Sequence, residues 1–155
     1  MGFCEYELRL INGNLKLHKS KKYNKDIKSI DGAICFLLEH YDIPRLAIEK
    51  AFVLSYDMNG NFNGFMQIGT GDFKEVQIPL STAFKFLLLK NAAGCIFVHN
   101  HVEGSDLVPS NGDYTMHTMV TTTCTALNIE LFANIILQND YEYYDIKTNK
   151  LEEIE

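Results

Sequence analysis

The sequence predicts a layered α/β domain in which helices pack against one mixed β-sheet. Three observations lead to this prediction. Alternating apolar and polar residues flank two Asn-Gly pairs, a pattern that is typical of β-hairpins. Three segments carry apolar residues at helical spacing, and the apolar run "CIFVH", residues 95–99, is typical of a central strand. With 155 residues, of which 46% are apolar and 22% charged, the chain is expected to form one domain with its own core.

The N-terminal half is predicted to contain two hairpins separated by a helix. The hairpin turns are Asn12-Gly13 and Asn59-Gly60, because Asn-Gly favours the tight turn between two strands. Ser29 is suited to cap the helix, and Pro44 requires a break after it. The predicted strands are residues 5–11, 14–18, 49–57 and 62–68, and the predicted helix is residues 29–41.

The C-terminal half is predicted to alternate strands and helices. Ser81 or Thr82 is expected to open the first of these helices, and the residues "QND" form a tight turn between the last two strands. The predicted helices are residues 81–91 and 111–127, and the predicted strands are residues 74–78, 95–99, 129–137 and 141–147.

Composition narrows the classes of function. The four cysteines lie far apart without a CxxC pair, which excludes a zinc knuckle and favours reduced thiols in a cytoplasmic protein. No stretch reaches the ~18 apolar residues of a membrane span, and the N-terminus lacks a signal-peptide pattern. The net charge of −6 disfavours contact with nucleic acid. One basic run, residues 16–25, could make such contact, but we interpret it as a solvated loop.

Two histidines and an aspartate suggest a metal site in the segment "FVHNHVEGSDLVPSNGD", residues 97–113. His99 and His101 are two apart at a strand end, so their side chains point to the same face. Asp113 can fold back across the loop of residues 102–109. Two neutral imidazoles and one carboxylate form the usual ligand set of a catalytic zinc site, in which water takes the fourth position.

Other interpretations of the same residues remain open. Ser110 and Asp113 also fit a helix-capping box, and the histidines could merely hydrogen-bond a loop. The tripeptide HNH is not the dispersed pattern of the nucleases with that name. The His101-Val-Glu103 stretch lacks the downstream P-C-x-x-C of zinc deaminases.

These motifs resemble the RadC-like branch of the JAMM (MPN-plus, JAB) metalloprotease superfamily. That family combines a glutamate on a strand, H-x-H, seven residues and S-x-x-D. The resemblance covers residues 28–148 and leaves residues 1–27 as an N-terminal hairpin extension. The segments that carry it are, in order, "EKAFVLSYDMNGN", "IGT", "KNAAGCIFVHNH", "PSNGD" and "ALNIELFANIILQNDYEYYDIK".

The resemblance implies a cytidine-deaminase-like, MPN-type architecture and a zinc-dependent hydrolase. His99, His101 and Asp113 would bind Zn²⁺, Glu49 would be the general base, and Ser110 would steady the oxyanion. Without the resemblance, Glu49 is an ordinary surface acid. The implied substrate is a peptide or isopeptide bond, including ubiquitin-like conjugates, with no membrane partner.

Two rival functions follow from the same resemblance. Metal-free MPN proteins serve as assembly scaffolds, and the name RadC suggests an association with DNA repair.

The chain departs from the family pattern at two points. Val102 replaces the proline that follows HNH, and eight residues rather than seven separate His101 from Ser110, a difference that a one-residue bulge can absorb. Glu103 and Asp106 are alternative carboxylate ligands in this longer loop. His117, one helical turn beyond Asp113, is a candidate for the rim of the site.

Overall fold

A computed structural model describes residues 2–71 and 78–155 of the chain. The described residues form one eight-stranded mixed sheet and three α-helices, which confirms the predicted fold class. The strands are β1 (Phe3–Ile11), β2 (Asn14–Tyr23), β3 (Lys50–Tyr56), β4 (Phe62–Thr70), β5 (Gly94–Asn100), β6 (Glu130–Leu137), β7 (Glu142–Asp145) and β8 (Lys150–Glu153). The helices are α1 (Ile30–Tyr41), α2 (Leu80–Leu89) and α3 (Asn111–Leu127), and a short 3₁₀ turn spans Ile43–Arg45.

The strands lie in the order β2-β1-β4-β3-β5-β6-β7-β8. The two predicted hairpins are the antiparallel pairs β1–β2 and β3–β4. Strand β3 also pairs antiparallel with β5, whereas β5 and β6 run parallel and are joined by α3. A parallel pair needs such a crossover, because its second strand must start at the same edge as its first. The centre of the sheet is therefore β3, β5 and β6.

The basic run at residues 16–25 was wrongly interpreted as a loop. Most of it belongs to β2, which continues to Tyr23 and pairs with β1 along its whole length. The Tyr23 ring stacks on Phe3 with centroids 5.2 Å apart, and this contact anchors the end of the strand. Lysines along an exposed edge strand hinder edge-to-edge pairing between proteins.

Elements in the second half of the chain also differ from the sequence prediction. Helix α2 begins at Leu80 with Pro79 at the N-cap, so neither Ser81 nor Thr82 opens it. The predicted strand 141–147 is shorter and turns through Asn149, in the left-handed conformation, into the unpredicted strand β8. Of the short strand predicted at residues 74–78, all but Ile78 lies outside the described residues.

Helices cover both faces of the sheet. Side chains alternate along a strand, so neighbouring residues of β3 and β5 belong to different hydrophobic clusters. On the face covered by α1, the buried side chains include Ala33, Ile34, Leu37, Phe52, Leu54, Ile96 and Val98. On the face covered by α2 and α3, they include Val53, Ala83, Phe86, Leu87, Cys95, Phe97, Val120 and Cys124.

This alternation decides where the histidines point. Cys95 and Phe97 of β5 lie on the α2/α3 face, and His99 is the next residue with the same parity. The Sγ atoms of Cys95 and Cys124 are 3.7 Å apart, so β5 and α3 are in direct contact below the site. His99 therefore emerges on the face that carries the helix with Asp113. None of the helices within residues 2–71 and 78–155 is long and apolar enough to cross a membrane.

Candidate metal centre

Three of the residues singled out in the sequence come together at the end of the sheet where β5 terminates. Nε2 of His99 lies 3.1 Å from Oδ1 of Asp113, and Nε2 of His101 lies 3.1 Å from Oδ2 of the same carboxylate. The potential ligand atoms of the three residues all lie within 4.8 Å of one another. Such a His-His-Asp group could hold a metal ion.

The crossover from β5 to β6 explains why these residues meet. His99 lies near the C-terminal end of β5, and His101 just beyond it donates its backbone N–H to the Leu137 carbonyl at 2.8 Å. Helix α3 must begin at this same end of the sheet, since it leads back to the start of the parallel strand β6. Asp113, in its first turn, is thus delivered to the strand end.

The ring of His101 is oriented by the loop that follows it. Its Nδ1 lies 2.5 Å from the backbone carbonyl oxygen of Asp106, a group that only accepts hydrogen bonds. Nδ1 therefore carries the proton and donates, which leaves the lone pair of Nε2 facing Asp113. Two acceptors that face each other at 3.1 Å require a proton or a cation between them.

His99 provides a second indication that a cation fits this position. Its ring is buried, and neither of its nitrogens has a hydrogen-bond partner among the described residues. Its Nε2 lies 3.1 Å from Oδ1 of Asp113, which is a close contact between a nitrogen and a carboxylate oxygen. Two imidazoles and one carboxylate are donors that metal ions such as zinc accept, so the three residues could hold a metal ion.

The charges of the site are mutually dependent. Burial alone would raise the pKa of Asp113, but contacts with His101 and His99 outweigh it and hold that pKa well below its usual range. Burial likewise lowers the pKa of His101, yet the hydrogen bonds to Asp113 and Asp106, with the charges of Asp113 and Glu49, raise it overall. A buried carboxylate of this kind is stable only beside a positive partner.

Glu49 lies immediately before β3, and its side chain is only 5% exposed. Ala51 pairs with His99, and continuing this antiparallel register by two residues places Glu49 opposite His101. The charge of Glu49 acts on His101, as its contribution to the pKa of that histidine shows. The backbone carbonyl of Glu49 accepts a hydrogen bond from Gly71 at 2.8 Å. The backbone of Glu49 thus lies beside His101, on the neighbouring strand.

Ser110 caps α3 and is exposed. Its Oγ accepts the backbone N–H of Asp113 at 3.1 Å, and Oδ2 of Asp113 accepts the backbone N–H of Ser110 at 2.9 Å. The capping interpretation is therefore right, and it also orients the carboxylate that contacts both histidines. Because Oγ acts as an acceptor in the cap, its hydroxyl hydrogen remains available for donation.

The loop after His101 accommodates its additional residue through backbone contacts. The Val102 carbonyl accepts the N–H of Ser105 at 3.1 Å, and Gly104 adopts a φ of 89°. Gln138, which the sequence did not single out, donates to the Val102 and Ser105 carbonyls at 3.1 and 2.6 Å. A side-chain amide at the end of a strand is common, so the sequence alone does not indicate that Gln138 holds this loop.

The side chains of the remaining candidates are not part of the His-His-Asp group. Glu103 is exposed, and Asp106, also exposed, contacts the site through its backbone carbonyl. His117 instead faces Asn134 of β6, with Nδ1 3.0 Å from the amide nitrogen. None of the three belongs to the group of potential ligands found among the described residues.

Removal of metal by a chelator is expected to leave the secondary structure intact. Both faces of the sheet have their own hydrophobic clusters, so folding does not depend on the site. Loss of a bound ion should lower the midpoint of thermal unfolding, because a ligand that binds only the folded state stabilises it. Far-UV circular dichroism with and without chelator measures both the secondary structure at room temperature and the midpoint of thermal unfolding. Global unfolding at room temperature after chelation would identify a structural metal site instead.

The Ser110→Ala variant is expected to lower the free energy of unfolding by about 1 kcal/mol, the usual contribution of a serine N-cap. The N–H of Asp113 then loses its acceptor. Urea denaturation measures the change, and Ser110→Thr, which keeps a capping hydroxyl, should retain most of the stability. Equal stability of the alanine variant and the parent would show that the cap contributes nothing.

Comparisons with known proteins identify the family and several relatives of this chain. The family model of the RadC-like JAB domain matches residues 27–151. A UPF0758 protein of Pelodictyon phaeoclathratiforme is 26% identical over 124 residues, which is 80% of this chain and 54% of the relative. UPF0758 proteins of Chlorobaculum parvum and Syntrophomonas wolfei are 27% and 26% identical over 88% and 92% of this chain, and over 61% and 58% of their own lengths. The chain thus spans little more than half the length of these curated relatives.

Proposed function

The chain belongs to the RadC-like JAB domain family, and from this premise we propose that it is a zinc-dependent hydrolase that cleaves a peptide or isopeptide bond. The JAB domain is a member of the JAMM superfamily, which contains metalloproteases. The observation that carries the proposal is the contact of one buried carboxylate, Asp113, with the Nε2 atoms of both His99 and His101.

His99, His101 and Asp113 are the proposed ligands. Two imidazoles and a carboxylate leave a fourth tetrahedral position open, as catalytic zinc sites require. Zinc in this position would lower the pKa of a water molecule to about 7 and polarise a carbonyl group. The hydrogen bond from His101 Nδ1 to the Asp106 carbonyl would keep the lone pair of Nε2 free for the ion.

Glu49 is the proposed general base. Its position opposite His101, away from bulk solvent, supports this role, in which the carboxylate would take a proton from the attacking water and later deliver it to the leaving amine. Proton transfer by a positioned group accelerates such reactions by roughly 10²–10⁴-fold. Glu49 does not belong to the potential ligands, so the two functions are separable by mutation.

Ser110 is proposed to stabilise the negative charge that develops on the substrate's carbonyl oxygen. Ser110 is an exposed residue at the N-terminus of α3, where backbone dipoles also favour negative charge. The substrate class is a peptide or protein, including ubiquitin-like conjugates. The four free cysteines agree with a reducing compartment, and we place the protein in the cytoplasm.

The proposed activity is tested with a panel of peptide substrates and ubiquitin-like isopeptide conjugates. Zinc-loaded protein should cleave at least one of them, a chelator should stop cleavage, and added zinc should restore it. Cleavage that persists in chelator would contradict the metal-dependent reaction. A protein that binds zinc and cleaves no member of the panel would shift the balance to the scaffold function.

A further inference from the structure

Asn100 lies between the two histidines, and both polar atoms of its side chain are used. The side-chain oxygen accepts the backbone N–H of Lys50 at 2.6 Å, and the side-chain nitrogen donates to the backbone carbonyl of Ile48 at 3.1 Å. The residue is 1% exposed. Neither contact belongs to the backbone pairing of β3 with β5. The amide thus binds β3 by a second set of hydrogen bonds, at the point where β3 begins.

These two hydrogen bonds hold the peptide groups on either side of Glu49. The Ile48 carbonyl belongs to the peptide group that precedes Glu49, and the Lys50 N–H belongs to the group that follows it. Fixing both planes fixes φ and ψ of the residue between them, and so the direction of its Cα–Cβ bond. The Gly71 N–H, 2.8 Å from the Glu49 carbonyl, supports the same segment from the other side.

We propose that Asn100 is a positioning residue that sets the backbone of Glu49 so that its carboxylate faces the His-His-Asp group. The catalytic part of this inference rests on the proposed function. One strand end then carries the candidate ligands His99 and His101 and, between them, the residue that places the base. The sequence gives no local sign of this, because Glu49 and Asn100 are far apart along the chain and only the β3–β5 pairing joins them.

The chemistry of the amide explains why asparagine occupies this position. An ionised aspartate could accept from the Lys50 N–H but could not donate to the Ile48 carbonyl, and its charge would repel that oxygen. A leucine of similar size offers neither an acceptor for the Lys50 N–H nor a donor for the Ile48 carbonyl. Each buried backbone group left unpaired carries a penalty of about 1–3 kcal/mol, which the segment can relieve by shifting toward water. Either substitution should therefore move Glu49.

The test compares Asn100→Asp and Asn100→Leu with the parent. Zinc content should be unchanged, kcat should fall roughly 10-fold to 10²-fold, and KM should change little, because the base is misplaced while the substrate still binds. In a Glu49→Gln background the same substitutions should cause no further loss of kcat, since there is no base left to misplace. Asn134→Leu is the matched control: Asn134 is also a buried strand asparagine, and it contacts His117 rather than the segment of Glu49.

A crystal structure of Asn100→Leu supplies the readout that is independent of activity. We expect the Glu49 backbone and carboxylate to be displaced, with the contacts between Asp113 and the two histidines retained. An undisplaced Glu49, parental kcat in the Asn100 variants, or an equal further loss in the Glu49→Gln background would each overturn the inference. Absence of zinc or of cleavage in the parent contradicts the proposed function instead, while the position of Glu49 in the variant still decides the positioning role.

Discussion

Replacing Glu49 with glutamine is expected to lower turnover roughly 10²-fold or more while leaving the zinc content unchanged. The amide has nearly the shape of the carboxylate but cannot accept a proton from water. Glu49 is not among the potential ligand residues, so metal binding should not depend on it. Initial-rate kinetics on the best substrate of the panel, together with elemental analysis, measure both quantities.

Glu103→Gln provides the matched control for this experiment. Glu103 lies on the loop that follows His101 and is exposed, so the same chemical change there should leave turnover close to that of the parent. A Glu49→Gln variant that cleaves as fast as the parent would refute the assignment of the base. A variant that loses zinc as well would show that Glu49 takes part in metal binding.

Replacing His99 with alanine is expected to abolish stoichiometric zinc binding and, with it, all metal-dependent cleavage. The substitution removes a buried nitrogen that has no hydrogen-bond partner among the described residues and that lies 3.1 Å from Asp113. The remaining imidazole and carboxylate cannot complete the three-ligand set of a catalytic site. Elemental analysis after dialysis against buffer without chelator measures the difference.

His117→Ala is the control for the loss of an imidazole near the site. His117 lies one turn further along α3 and contacts Asn134, so its removal should leave zinc content unchanged. Equal zinc in His99→Ala and in the parent would exclude His99 as a ligand. Loss of zinc in both variants would indicate a site of different composition.

The two interpretations of S-x-x-D given by the sequence describe a single structure. The capping box predicts hydrogen bonds between Ser110 and Asp113, and the metal interpretation predicts a carboxylate that faces His99 and His101. Oδ2 of Asp113 makes both sets of contacts, to the Ser110 N–H at 2.9 Å and to His101 Nε2 at 3.1 Å. A helix cap is therefore the means by which the carboxylate is oriented, and its presence does not argue against the metal site.

Local patterns predicted most of the fold because the structures they indicate depend on interactions between residues that are close in the sequence. The Asn-Gly turns, the apolar run of β5 and the helical spacing of α1 and α3 each depend on a few neighbouring residues. The H-x-H pair was predictable for the same reason, since side-chain alternation along a strand needs no partner strand. Errors arose where the structure depends on pairing between different segments. The lysines of β2, for example, form a strand only because β1 pairs with them.

The position of Glu49 could not be deduced from local patterns. Its approach to His101 depends on the antiparallel register of β3 with β5, and a shift by one residue would turn it to the other face. Family resemblance supplied the assignment that the residues alone did not. The hydrogen bonds of Asn100 depend on the same register, which is why the middle residue of the HNH tripeptide was not singled out beforehand.

The zinc content of the unaltered protein is the decisive measurement for a metal site at His99, His101 and Asp113. We expect close to one zinc ion per chain after purification without chelators, lost on dialysis against a strong chelator and regained when zinc is added. The same stoichiometry should be absent from the His99→Ala variant. Protein that contains no stoichiometric zinc, and takes none up when zinc is supplied, would contradict a zinc site at these residues and leave the JAB fold as a metal-free binding module.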